Sequence, residues 1–268
     1  MFSQKTLALA AVALVVSAGT LAAQTINLAP GNSMAGGTVI APGSTVNVLG
    51  GDIGLSVDLS SGVLNVQSGN VAIGATSVAT GFTNVDNTVN ISGGNVGGFF
   101  QLIGNTDLNL SGGVIQSFGL FNDNTVANIT GGTVTDFPDI LDGTVNISGG
   151  NVNAVRVFGG QAGGNGANLN LFGTQFFIDG TPVSLSNGQA FTITPRNVTL
   201  SGLLADGSNF SFSLSDTFVG LADPNPGFAL DGSTVTVTQV VGIPEPAALP
   251  MMLLALSGLI LRRGRSAN

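Results

Sequence analysis

The sequence predicts an all-β chain: a parallel β-helix or solenoid of about seven short rungs followed by a C-terminal antiparallel β cap. Three observations lead there. One phrase recurs, Thr88-Val-Asn-Ile-Ser-Gly-Gly-Asn-Val96 returning as Thr144-Val-Asn-Ile-Ser-Gly-Gly-Asn-Val152. Within it apolar and polar residues alternate with the period of a strand. A glycine pair follows, which marks a turn where the backbone takes positive φ or approaches a neighbour closely.

Weaker copies extend the repeat. Each has an apolar-Asn-apolar core, centred on Asn47, Asn65, Asn90, Asn109, Asn128, Asn146 and Asn170, with steps of 18, 25, 19, 19, 18 and 24 residues. A unit of about nineteen residues cannot bury an apolar face alone, so residues 24–172 are expected to stack, with Val89, Ile91, Val145 and Ile147 turned inward. Equivalent asparagines on neighbouring rungs then stand in reach of one another as a hydrogen-bonded ladder. The two longer steps are read as loop insertions around Ala75 to Asp86 and Phe158 to Asn165. Seven rungs spaced by about 4.8 Å make a rod of roughly 30 Å.

Over residues 173–241 the pattern changes. Phe176, Phe177, Phe191, Phe210, Phe212 and Phe218 concentrate there. Period-two runs, Phe210-Ser-Phe-Ser-Leu214 and Val235-Thr-Val237, are divided by turns at Asp179-Gly180, Asp206-Gly207 and Asp231-Gly232. These read as antiparallel strands closing the stack, because an open end would leave strand edges unpaired.

Composition removes whole classes of function. The chain has 41 Gly, a charged fraction of 7%, and no Cys, His, Trp or Tyr. Disulfides are excluded, and most catalytic side chains are missing. Lys5 lies near the start and Arg262, Arg263 and Arg265 lie near the end, leaving Arg156 and Arg196 for the body. Against them stand thirteen Asp, since Glu245 is the one glutamate among 14 acidic residues. The body is acidic and offers nucleic acid no basic surface.

Both ends read as addresses. Residues 1–23 combine Lys5, an apolar run from Leu7 to Val16, and the small residues Ala22 and Ala23, the pattern of a secretory signal peptide cut by signal peptidase. Residues 242–268 hold Pro244, Glu245 and Pro246, an apolar transmembrane segment at 247–261, and then Arg262, Arg263 and Arg265. The prolines force an extended entry. The apolar stretch is short for a stable span, and the arginines place the body outside the membrane.

Those three parts, in that order, resemble the PEP-CTERM sorting tail of Gram-negative bacteria. The resemblance implies recognition, and cutting near Pro244-Glu245-Pro246, by a membrane enzyme called exosortase. It implies delivery to the cell surface or into extracellular exopolysaccharide. Pro250 inside the apolar stretch departs from the pattern.

Other motifs are weaker. Asn90-Ile-Ser92, Asn109-Leu-Ser111, Asn128-Ile-Thr130 and Asn146-Ile-Ser148 match a glycosylation acceptor, but they fall at the rung period, which the ladder explains. Gly163 to Asn170 resembles a single calcium-binding nonapeptide, with Asn168 where Asp is wanted and no second copy to complete the shell. Asp136, Asp139 and Asp142 cluster between rungs as weak Ca²⁺ candidates, although Asp is also favoured in turns. A polysaccharide-degrading β-helix enzyme needs paired carboxylates or a strong base with a cation, and the body carries two Arg and no Lys, His or Tyr. The reading is a non-enzymatic structural surface protein without cofactor. The alternative is a glycan- or ice-binding module, using the Thr45-x-Asn47, Thr88-x-Asn90 and Thr144-x-Asn146 face.

Overall fold

The structure, a computed structural model, describes residues 22–36, 38–54, 59–71, 83–85, 87–121, 124–159, 166–217, 227–230 and 232–241. Its strands in chain order are β1 (Thr25–Leu28), β2 (Ser33–Met34), β3 (Thr45–Ile53), β4 (Leu59–Ser60), β5 (Val63–Val71), β6 (Thr83–Val85), β7 (Thr88–Ile103), β8 (Asp107–Leu120), β9 (Val126–Val134) and β10 (Pro138–Ile140). They continue with β11 (Gly143–Val152), β12 (Arg156–Val157), β13 (Ala167–Ile178), β14 (Thr181–Pro182), β15 (Ala190–Thr192), β16 (Val198–Leu204), β17 (Asn209–Leu214), β18 (Phe228–Ala229) and β19 (Thr234–Gln239). The fold is all-β with a mostly parallel sheet, an arrangement consistent with a β-solenoid.

Three parallel ladders run through the molecule. In the first, β1, β3, β5, β7, β8, β9, β11, β13 and β19 follow one another, so that Asn47 pairs Asn65, Asn65 pairs Asn90 and Asn90 pairs Asn109. In the second, β2 lies on Asp52-Ile53, which lies on Asn70-Val71, and the column continues through Asn95-Val96, Val114-Ile115, Thr133-Val134 and Asn151-Val152. In the third, β4, β6, the end of β7, the end of β8, β10, β12 and β18 are stacked.

Alternation along the first ladder places one set of side chains inside. Val46, Leu64, Val89, Leu108, Ala127, Val145, Leu169 and Val235 occupy one register position, and all are 0% exposed. Ile91 and Ile147, two residues further on in their strands, are equally buried. The asparagines between them are half-buried on the outer side. A slip of one residue would exchange the two sets, which is why the register is strongly specified.

The glycine pairs make the corner between the first and second ladders. Gly113 has φ +77°, and a Cβ added to it would lie 2.7 Å from the Gly93 carbonyl carbon and oxygen. Neighbouring turns therefore touch through bare backbone, and any side chain would separate the rungs.

Two expectations are corrected. Val235-Thr-Val237 is not an antiparallel strand of a terminal segment alone, because β19 lies parallel on β13, Leu169 facing Val235 and Leu171 facing Val237, and only its other side takes β15 antiparallel. Together with β18 on β12 it adds one more layer to the stack. Period-two alternation is the same for either strand direction, and this segment has Thr236 where the other layers carry the column Asn and has no glycine pair after it. The second correction concerns the insertion read at Ala75 to Asp86: its Thr83–Val85 part is β6, paired with Gln101–Ile103. The antiparallel pairs lie between these layers, where β13 runs on to meet β16, β16 meets β17, and β14 folds back on β13.

Candidate functional site

The most regular chemical feature is the asparagine column of the first ladder. Asn47 Nδ2 donates to Asn27 Oδ1 at 2.7 Å, Asn65 to Asn47 at 2.8 Å, Asn90 to Asn65 at 2.9 Å and Asn109 to Asn90 at 3.0 Å. Asn128 donates to Asn109 at 3.1 Å, and Asn146 to Asn128 and Asn170 to Asn146 at 2.9 Å each. Every interior amide donates one N–H and accepts at one lone pair. Each retains a second N–H and a second lone pair, so the column is neutral, regular and capable of further hydrogen bonding.

Asn27 was missed as a member. Its phrase, Thr25-Ile-Asn-Leu28, matches Thr45-Val-Asn-Val48 and stands 20 residues upstream, a signal that could have found it. Beyond Asn170 the column meets Thr236, which has no amide. A shorter column runs along the second ladder, where Asn70 Nδ2 donates to Asp52 Oδ1 at 2.8 Å and Asn95 Nδ2 to Asn70 Oδ1 at 3.3 Å. Asn124 and Asn105 make a similar contact at 2.8 Å.

The hydroxyls of the Asn-x-Ser/Thr triplets point back to the preceding layer. Ser111 and Ser148 reach the Ile91 and Ile129 carbonyls at 3.5 Å, and Thr130 reaches that of Leu110 at 3.4 Å. These are long contacts of small weight.

Asp136, Asp139 and Asp142 are held by different partners. Asp136 accepts from Gln116 Nε2 at 3.2 Å on the surface. Asp142 is buried and accepts from the Gly143 N–H at 2.9 Å. Asp139 faces the Arg156 guanidinium, Nε to Oδ1 at 3.2 Å, with side chains 14% and 6% exposed. The rings of Phe137, Phe228 and Phe158 surround the Arg156 guanidinium carbon at 4.4, 5.3 and 5.5 Å from their centroids. Burial raises the Asp139 carboxyl to about 6 despite the opposing pull of Arg156. The same burial pushes the guanidinium down, against the pull of Asp139. Desolvation thus outweighs attraction in this pair, so it is a weak stabiliser as a whole and costly to break on one side. Among the described residues, no three His, Cys, Asp or Glu side chains come together as metal ligands.

In the nonapeptide-like stretch, residues 160–165 lie outside the described residues, and Asn168 Nδ2 donates to the Gly166 carbonyl at 3.3 Å. The apolar leader, Pro244, Glu245, Pro246, the segment 247–261, Arg262, Arg263 and Arg265 also lie outside the described residues. Among the described residues, no helix is long and apolar enough to cross a membrane.

A contact between the antiparallel strands and the stack was not visible in the sequence. Asp206, in the turn from β16 to β17, accepts the Gly150 N–H at 2.8 Å and the Ser208 N–H at 2.9 Å, fastening that hairpin onto the last glycine pair. Arg196 donates to the Ile193 carbonyl at 2.9 Å and to the Ser233 carbonyl at 3.2 Å, tying the same region to the final layer.

The chain was compared with family models, curated proteins and solved structures, and nothing in any of the three matches it.

Proposed function

We propose that the chain is a non-enzymatic, exported structural protein of the cell surface or extracellular matrix. In this reading the parallel layers form a β-solenoid that serves as a stiff spacer, the antiparallel strands inserted before its last layer are its cap, and the two ends are sorting signals. The observation that carries the spacer is the asparagine column, in which neighbouring layers bind one another through side chains as well as backbone. Nine strands follow one another in the first ladder, so eight steps of about 4.8 Å give a rod of roughly 38 Å.

Delivery rests on sequence alone. A signal peptidase removes residues 1–23, and an exosortase-type membrane enzyme acts at Pro244-Glu245-Pro246, leaving the body outside the inner membrane. Exopolysaccharide is the expected surrounding, and no cofactor is needed. The test is intact-mass measurement of the native protein from surface fractions. The expected species begins near Gln24, ends near Pro244 and lacks the arginine cluster. Recovery of chain ending at Asn268 would replace processing with a permanent anchor.

A further inference from the structure

The two ends of the first ladder are finished differently. At one end β19 is covered by β15, Phe191 facing Val237 in antiparallel register. At the other, β1 pairs with β3 on one side, and its second edge has no partner among the described residues. Immediately before β1 the Gln24 carbonyl accepts the Thr45 N–H, so backbone alternation turns the N–H and C=O of Thr25 and Asn27 toward the open edge. Asn27 Oδ1 is used by Asn47, while its Nδ2 has no partner in the column below it. The same end carries exposed apolar side chains, Val39 at 61% and Leu49 at 37%.

We propose that this edge binds a second copy of the chain, β1 against β1, in a closed head-to-head dimer. The inference rests on the export reading for one point: cleavage after Ala22 or Ala23 leaves no more than two residues ahead of Thr25, too short a piece of chain to cover the edge. Head-to-tail continuation of the parallel ladder is blocked at β19, whose far edge is taken by β15, and the strand outermost there is an exposed, three-residue antiparallel one that does not repeat the layer. What remains is an isologous contact about a two-fold axis, which makes the strands antiparallel and stops at two copies.

The register follows from the length of β1. A two-fold axis at Ile26 pairs Thr25 with Asn27 of the other copy and Asn27 with its Thr25, so both outward-facing residues are satisfied. An axis at Asn27 would call on Ala29, which precedes Pro30 in a turn and lies beyond the strand. With Thr25 and Asn27 in hydrogen-bonded pairs, the two Ile26 residues face each other in the closer, non-hydrogen-bonded position, Cα atoms about 4.5 Å apart. That separation suits a disulfide.

The chain has no cysteine, so Ile26→Cys introduces a unique probe. The full exported chain carrying it should run as a disulfide-linked dimer on a non-reducing gel, and Gln189→Cys at the covered end should stay monomeric. Adding Thr25→Pro to Ile26→Cys removes an edge N–H that β3 does not use and should abolish the dimer without lowering the melting temperature by more than a few degrees. The same probe is read in a chain begun at Gln24, with the N-terminus of the exported sample determined by mass. A crosslink only in the chain begun at Gln24, with the leader retained in the exported one, would sink the export reading and keep the dimer. Absence of crosslink in both, with normal melting, would overturn the dimer. Crosslinking through Gln189→Cys, or a crosslink indifferent to Thr25→Pro, would equally overturn it.

Discussion

In the stack, Val89 lies between Leu64 and Leu108, all three fully buried, and the same contact is repeated in the layers before and after. In the antiparallel excursion, Phe176 meets Phe210 at 6.1 Å and Phe210 meets Phe212 at 5.2 Å, a cluster that occurs once. The polar contacts divide in the same way. The stack repeats one amide contact along a column, whereas the excursion depends on single ties, among them Asp206 to Gly150, Arg196 to Ser233 and Gln239 to the Thr174 carbonyl. A repeated layer spreads its stability over equivalent neighbours, and a substitution there disturbs two interfaces at once. In the excursion a substitution disturbs one contact, and its cost depends on local space.

The largest expected effect tests side-chain direction inside the stack. Ile91→Asp places an unpaired carboxylate where exposure is 0%, and it should cost several kcal/mol, enough to unfold a marginal domain. Asn90→Asp adds the same group one residue away. Its carboxylate still accepts from Asn109 but loses the donation to Asn65, a cost of about 1 kcal/mol. Thermal melts of the two variants compare them directly. Equal losses would mean that the alternation does not separate inside from outside.

Next comes a glycine in each region. Gly113→Ala combines positive φ with backbone 2.7 Å from the new Cβ, and should cost about 3 to 4 kcal/mol. Gly207→Ala, at φ +88° with nothing within 4 Å, should cost about 1 kcal/mol for φ alone. Denaturant midpoints measure the difference, and similar values would deny that the turns of the stack are in backbone contact.

The smallest effect concerns the buried pair between β10 and β12. Because burial raises Asp139 from 3.8 to about 6, folding is favoured by its protonated form. Its contribution is fully present below pH 3.8 and is lost as pH rises through about 6. Melting temperature should therefore fall from pH 4 to pH 7, and Asp139→Asn should flatten that slope. A rise over the same window would mean that attraction to Arg156 outweighs desolvation.

Much of the stack was legible because its chemistry is local and periodic. Alternation set which side chains face inward, and the recurring Asn identified equivalent positions before any partner was known. The additional members, Asn27 and Thr236, lack the full phrase, which is why the sequence pattern starts the column at Asn47 and ends the repeat region at residue 172. The three Asp between rungs looked like one cluster by spacing alone. In the structure Asp139 turns to Arg156, Asp136 to Gln116, and Asp142 to its neighbouring backbone.

The sequence by itself determined the strand period, the layer spacing and the acidic, cysteine-free surface, since each depends on residue type and on neighbours within one repeat. Only the tertiary structure decided that Thr234–Gln239 lies parallel on Ala167–Ile178, that Asp206 fastens its hairpin to Gly150, and that Arg156 is enclosed by Phe137, Phe158 and Phe228. Those pairings join residues far apart in the chain. Their direction and choice of partner follow from the shape and unsatisfied groups of the surface already formed, which no short stretch of sequence specifies.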